Sequence, residues 1–553
     1  MDIRRTVIFI GLAITSYFLI LAWNDDYGHK AGQNTPIEAT VSADTPDIPV
    51  TSQAAQSNAE TPSASETPVV EEAAADAAVA EATGKLIKVT TDVLEVTIDP
   101  RGGEIIAVLL PEFPASIDTP DVPFVLMERN ERRTYVAQSG LIGKDGTEGA
   151  LFSAEKTSYS LADGADEVSV VLTTTTEKAT IEKVFTFRRG DYLADVNFRI
   201  KNTSDESWSG RFYAQLKRDN SQDPSKNSSM GMSAYLGAAL TTADDRYKKV
   251  KFSQLEDGAF KEIVEGGWAA ILQHYFLSAW VPPQEQQHTY NGRYVNGNYI
   301  FGFYDEPTVV AAGETAEVGS SLYVGPKDQD RLAEIAENLD LTVDYGWLWW
   351  IAQPLFWLLQ HIHSLVGNWG VAIILLTVMV KAAFFKLSAT SYRSMANMRK
   401  VAPKMNEIKE KYGDNREKLG QEMMKLYKEE KINPLGGCLP ILVQMPVFIS
   451  LYWVLMESIE LRQAPFMLWI RDMSVMDPYF ILPLIMGASM FLQMRLNPTP
   501  PDPMQARVMQ FMPIIFTVFF LWFPAGLVLY WVTNNCLSIA QQYVITKQIE
   551  KAA

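Results

Sequence analysis

Lys381 is an ionisable residue inside an apolar run: the stretch Trp369 to Phe385, WGVAIILLTVMVKAAFF, could cross a bilayer but for its ammonium. Thr377 lies one turn earlier on the same helix face. A charge at mid-membrane costs about 2.5 to 3.5 kcal/mol on insertion scales, so the pair should face protein or water and not lipid. Lys386 follows after about 7 to 8 Å of helix rise, a distance a four-carbon stem can span. The segment alone therefore leaves two readings, a lysine that snorkels to the inner surface or one that lines a polar groove within a bundle.

Other candidate chemistry is sparse. The five histidines, His29, His274, His288, His361 and His363, fall in no metal-ligand motif, and His361 and His363 read as packing residues at a membrane surface. The two cysteines, Cys438 and Cys536, lie in or beside apolar runs. They offer neither a disulfide framework nor a zinc pair, and both are expected to be buried and inert. With no nucleotide motif either, the reading is not an enzyme, with no cofactor and no metal. A formal net charge of -17 excludes DNA as a partner, because phosphate neutralisation needs concentrated Lys and Arg.

The elements that must position Lys381 follow from periodicity and charge. Residues 1–27 place Arg4 and Arg5 before an apolar run from Val7 to Trp23, with no small-residue cleavage site, and read as an uncleaved signal-anchor span. Residues 28–84 are Ala, Thr, Ser, Pro, Glu and Asp, a disordered tether on the outer side. From 85 to 325 a two-residue period recurs, as in Leu94, Val96 and Ile98, then Ile181, Phe185 and Phe187, then Ala194, Val196, Phe198 and Ile200. That predicts a large antiparallel sandwich. Residues 326–368 hold the helical pattern Leu332, Ile335, Ala336, Leu339 and then Trp347, Trp349, Trp350 and Trp357, a linker helix and an amphipathic helix in the outer interface.

The lysine span covers 369–386, and the basic stretch 387–433 that follows is cytosolic by the positive-inside rule. Its apolar stripe, Met395, Met398, Ala402, Met405, Ile408 and Tyr412, resumes at Leu419, Met423 and Leu426, so a helical hairpin is expected, kinked at Pro403. Residues 434–545 contain four further apolar runs, the last two parted only by Phe523-Pro524-Ala525-Gly526, and 546–553 form a short cytosolic tail. The loop from Glu457 to Asp477 carries more acid than base and lies outside. The fold class is thus a multi-domain membrane protein, an all-α bundle of six spans plus a large β domain, with both termini cytosolic.

Several stretches carry a family likeness: NPLGGCLPILVQMPVF at 433–448, ELRQAPFMLWIRDMS at 460–474, DPYFILPLIMG at 477–487, FMPIIFTVFFLWFPAGLVLYW at 511–531, and on the outer side DVLEVTIDPRGGEI at 92–105 and GWAAILQHYFLSAWVP at 267–282. In these the chain resembles the YidC/Oxa/Alb family of membrane protein insertases, in its Gram-negative form. The resemblance implies an insertase and chaperone of the bacterial inner (cytoplasmic) membrane, acting on nascent membrane proteins alone or beside the Sec translocon. It implies a periplasmic β-supersandwich and a five-helix core around a hydrophilic groove, open to cytosol and lipid and closed to the periplasm. In the family the groove charge is normally arginine; Lys381 holds the aligned position and keeps the charge without the planar fork. The resemblance adds Gln444, Ser489 and Trp531 to Lys381 and Thr377 as groove residues. It makes Met395, Met398, Arg399, Lys400, Met405, Met423 and Met424 of the hairpin the contact surface for clients or ribosome, with signal recognition components and membrane lipids as further partners. Two rivals stand: a secondary transporter, which would show repeated halves and paired broken helices, and a membrane-anchored periplasmic carbohydrate-binding protein, a reading that rests on fold alone.

Overall fold

The computed structural model describes residues 85–225, 234–413, 415–430, 439–496 and 503–551. The expected anchor and tether, 1–84, lie outside the described residues, as do the side chains of Met395 and Arg399.

The outer domain is a sandwich of an eleven-stranded and a nine-stranded sheet. Its pairing is local where turns dictate it. Ala179–Arg188 runs antiparallel to Leu193–Asn202, with Phe187 opposite Ala194 and Ile181 opposite Ile200. The turn between them needs Gly190, whose φ is +66°. Because the side-chain period is two, Ile181, Phe185, Phe187, Ala194, Val196, Phe198 and Ile200 all land on one buried face. The expected all-antiparallel pairing has an exception, since Ile87–Thr90 pairs parallel with Ser158–Ser160.

Lys183 occupies an inward position of the same alternation and is fully buried. Its Nζ donates to the carbonyls of Gly103 and Ser139, both at 2.8 Å, and of Gly102 at 3.1 Å. The side chain therefore ties its own nine-stranded sheet to the eleven-stranded one, with its ammonium 5.2 and 5.1 Å from the rings of Phe185 and Phe198.

The helices are α1 (Phe252–Asp257), α2 (Gln329–Ile335), α3 (Trp349–Val366), α4 (Trp369–Ala383), α5 (Phe385–Lys400), α6 (Ala402–Tyr412), α7 (Arg416–Glu429), α8 (Leu439–Glu457), α9 (Ile481–Leu496), α10 (Pro503–Phe520) and α11 (Ala525–Lys551). Local chemistry sets the start of α4. Gly367, with φ +66°, closes α3, and the Asn368 side chain accepts from the Val371 amide. The lysine helix ends at Ala383, three residues before the expected 386, and α5 leaves it at 65°. Pro403 does not kink a continuous helix: it lies in the first turn of α6, after a break at Val401, where a missing amide costs nothing.

Among the described residues no single helix is long and apolar enough to cross a membrane; α4 joined to the first part of α5 passes that test only as a bent pair. Exposed apolar residues recur along the helices, among them Val378, Met379, Leu484, Phe491, Ile514 and Val518, a surface suited to acyl chains. Cys536, expected to be buried, is exposed on α11. A thiol is apolar enough to sit on such a surface.

Sandwich and helices share one apolar core. Trp268, Leu277 and Tyr323 of the sheets belong to the same buried cluster as Phe356 of α3, Ile373 of α4, Leu451 of α8 and Leu527 of α11. At this junction His274 Nε2 lies 2.8 Å from the Met456 carbonyl, and the His274 amide donates to Asp223 Oδ2 at 2.6 Å. Burial, aided by the nearby Lys327 ammonium, holds the imidazole neutral and its pKa down at about 4. The unfolded chain takes up this proton near pH 6.5 and the folded chain only near 4, so stability is complete above 6.5 and falls as pH drops between the two. That loss amounts to about 3 kcal/mol in all. The thermal midpoint of the detergent-solubilised protein should fall across that window, and His274→Gln, which keeps a donor for Met456 without titrating, should flatten the slope. An unchanged slope in that variant rejects the assignment.

Candidate functional site

α4 buries Gly370, Ala372, Ile373, Leu376 and Thr377 on one side and carries Lys381 near its end. Half-buried, Lys381 points its Nζ at two neutral partners, donating to Ser538 Oγ of α11 at 2.7 Å and to Gln444 Oε1 of α8 at 3.3 Å. Gln444 Nε2 in turn donates to Asn534 Oδ1, and the Ser538 hydroxyl donates to the Asn534 carbonyl at 2.7 Å. Further along α11, Asn535 Nδ2 donates to Ser489 Oγ of α9 at 3.0 Å, and Gln542 Nε2 to the Leu496 carbonyl at 3.1 Å. A polar line on α11 thus touches α4, α8 and α9 in turn.

No carboxylate lies within ion-pair distance of Lys381 among the described residues, so the site keeps a net positive charge. Beside it is a cleft of about 250 Å³, its open mouth included, lined by Val380, Lys381, Phe384, Leu387, Ser388, Val443 and Gln444. The cleft lies across the bend at Phe384, with Val380 and Lys381 lining it from α4 and Leu387 and Ser388 from α5.

Of the five groove residues expected from the sequence, Lys381 and Gln444 meet directly. Ser489 joins the polar line through Asn535. Trp531 lies one turn before Asn535 and packs edge-on against Phe448, ring centroids 4.7 Å apart, and on Phe520 at 5.4 Å. Its buried Nε1 has no hydrogen-bond partner among the described residues. Thr377 is turned away from the cluster: it is buried, and its hydroxyl donates to the Ile373 carbonyl of its own helix at 2.7 Å. Asn534, Asn535, Ser538 and Gln542 were missed. Their signal is the spacing, since polar residues at i and i+4, 534 with 538 and 538 with 542, stripe one side of an apolar run.

The loop that joins α8 to α9 is tied to the starts of two helices. Asp477, fully buried in the loop before α9, accepts from Trp469 Nε1 at 3.0 Å and from the Leu482 amide at 2.7 Å. The same loop accepts the first amides of α11, Ala525 to the Val475 carbonyl at 2.7 Å and Gly526 to Met473 at 3.0 Å. The stripe of the helical hairpin forms a small core of its own. Val401, Met405 and Leu426 are buried there with Met398, Ile408, Met423 and Tyr427 packed around them, whereas Met424 and Lys400 face outward.

Two family descriptions match the chain. "YidC periplasmic domain" covers residues 86–358 and "60Kd inner membrane protein" covers 361–552, which makes the class an inner-membrane protein with a periplasmic domain. Curated relatives named "Membrane protein insertase YidC" extend over the whole length. One from Pseudomonas putida (strain W619) is 54% identical over 561 residues, covering 100% of this chain and 99% of the relative. Another, from Ectopseudomonas mendocina (strain ymp), is 53% identical over 582 residues with the same coverage. The chain belongs to the YidC family of membrane protein insertases. Among solved structures, a crystal structure titled as an active YidC insertase with its first transmembrane domain resolved is 18% identical, covering 83% of this chain and 93% of that one at a TM-score of 0.38. A galactose mutarotase related enzyme from Lactobacillus acidophilus is 12% identical, covering 43% of this chain and 97% of its own at a TM-score of 0.29.

Proposed function

We propose that this insertase lowers the barrier for a client's polar end by receiving it in the cleft beside Lys381. The observation that carries the reading is an ammonium held by two neutral side chains, Ser538 and Gln444, in the lining of a cleft with no carboxylate among the described residues to neutralise it. An acidic or polar tail entering from the cytosol exchanges water for this charge and for the polar line of α11, and in a partly dehydrated site the attraction exceeds that in water. The client's apolar helix then partitions sideways into lipid. The membrane potential assists acidic tails by about 2.3 kcal/mol per charge per 100 mV.

The topology that serves this has six spans, both termini in the cytosol and the β domain in the periplasm, with the loop around Asp477 closing the cleft on that side. Thr377, bonded within α4, and Trp531, packed on Phe448 and Phe520, are outside the cleft lining and serve it by fixing the helices that form it. The hairpin guides clients through its outward Met424 and Lys400, thioethers being adaptable to varied apolar partners. It also offers the surface for ribosome and signal recognition components, with the Sec translocon as a second partner and lipids around the bundle.

The test is insertion into lipid vesicles of a single-span client bearing an acidic tail, beside the same client with its tail acids made neutral. The acidic client should insert about tenfold faster, the factor that a gain of 1.4 kcal/mol gives. Equal rates for the two clients reject the cleft reading. Removing most of residues 85–325 should leave most of the insertion activity, because every group in the polar cluster comes from α4, α8, α9 and α11. An activity housed in the sandwich would instead disappear with it.

A further inference from the structure

Glu457 is the last residue of α8 and is buried, at 2% exposure. A carboxylate is poorly placed at that end of a helix, because the unpaired carbonyls there already carry partial negative charge. Lys327 answers it. This lysine follows the last strand of the sandwich, is equally buried, and brings its Nζ to 3.4 Å from Glu457 Oε2. Its backbone is itself fixed, the Lys327 amide donating to the Tyr275 carbonyl at 2.9 Å. One residue earlier on α8, the Met456 carbonyl meets His274 of the sandwich. Just beyond α8, Arg462 Nη2 donates to the Pro114 carbonyl at 2.7 Å while its guanidinium lies over the rings of Phe124 and Phe276. Three successive points at the outer end of α8 are therefore held by the sandwich.

A buried ion pair is seldom the most stable filling for such a place, since well-packed apolar residues of the same volume do as well or better. What a pair supplies is register, because only one placement of the two elements satisfies both charges. The element being registered also carries the functional contact: Gln444, which meets Lys381 and Asn534, lies on α8 about 20 Å of helix rise from Glu457. Pro446, between them, removes one hydrogen bond from the ladder of α8 without ending the helix.

We propose that Lys327 and Glu457 are positioning residues for insertion: their buried pair locks α8 to the base of the sandwich and so sets Gln444 against Lys381. The proposal rests on the cleft reading above, and it makes the sandwich's contribution one of placement at one end of α8. Lys327 follows the segment 85–325, so a deletion that spares the strand around Tyr275, whose carbonyl fixes the Lys327 backbone, keeps the pair and its anchor.

The experiment uses the full chain with Cys438→Ser and Cys536→Ser, reconstituted in vesicles, and reads two things on the same samples. One is client insertion; the other is the distance distribution between spin labels at Met445→Cys on α8 and Tyr543→Cys on α11, both exposed positions. Glu457→Gln should slow insertion about tenfold and broaden the distribution. The swap Lys327→Glu with Glu457→Lys should restore both, the more readily because a cation suits a helix C-terminus. Normal insertion in Glu457→Gln overturns the proposal, and so does slow insertion with an unbroadened distribution. Should Glu457→Gln fail to fold, the swap decides alone, and a swap that neither inserts nor narrows the distribution overturns it. Lys381→Ala runs alongside: if that variant inserts normally while Glu457→Gln both slows and broadens, the cleft reading falls and the lock stands.

Discussion

Vesicles carrying Lys381→Ala should insert an acidic-tailed client about thirtyfold more slowly than wild type, whereas Lys381→Arg should stay close to wild type. The size follows from what is removed. A carboxylate a few ångströms from a cation in a partly dehydrated site gains about 2 kcal/mol over the same carboxylate beside neutral groups, and each 1.36 kcal/mol is tenfold in rate. The loss is not one of folding. Without the ammonium, Ser538 still donates to the Asn534 carbonyl and Gln444 Nε2 still donates to Asn534, while Gln444 Oε1, which loses its donor, lines an open cleft that water can enter. Thermal midpoints of the two variants should therefore match wild type within a few degrees while their insertion rates part. Arginine restores the charge and adds a fork that can engage Ser538 and Gln444 together. Wild-type insertion by the alanine variant, with an acidic client, removes the cleft charge from the mechanism.

Lys381 was legible because a charge in an apolar run has few explanations, and its chemistry survives any error in helix boundaries. Its partners were not. Asn534, Asn535 and Ser538 fall in a run whose average is still apolar, and a stripe shows only once the residues are wound at 3.6 per turn and faced against α4, α8 and α9. The bend at Phe384 left no trace in composition, since no proline or glycine marks it, and the run continued through it into Phe385. In the sandwich the inward residues were readable from alternation, but the division into two sheets and the parallel pair at Ile87–Thr90 depend on partners dozens of residues away. Alternation also hid Lys183, which interrupts an apolar series at an inward position where a surface charge would be the ordinary reading. Glu457 was hidden likewise. It read as one acid of an outer loop, and only the return of the chain at Lys327 makes it a buried partner.

Lys183 gives the other large effect. Lys183→Ala should destabilise the sandwich by about 3 to 5 kcal/mol, because it opens a cavity the length of the stem and leaves the carbonyls of Gly102, Gly103 and Ser139 without their shared donor. Lys183→Met refills most of the cavity and should cost about half as much, the remainder being the lost hydrogen bonds. Titration separates this from simple packing. Burial pushes the Lys183 ammonium down to about 7, while in the unfolded chain it stays near the ordinary 10.5. Between those values the unfolded chain holds a proton that the folded chain has released, so stability rises with pH through the window, by about 1.4 kcal/mol per unit. Methionine cannot titrate. The advantage of wild type over Lys183→Met, read from thermal midpoints, should thus widen from pH 7 to pH 9; a gap independent of pH would mean that the buried ammonium keeps its proton, its three carbonyl acceptors offsetting the cost of burial.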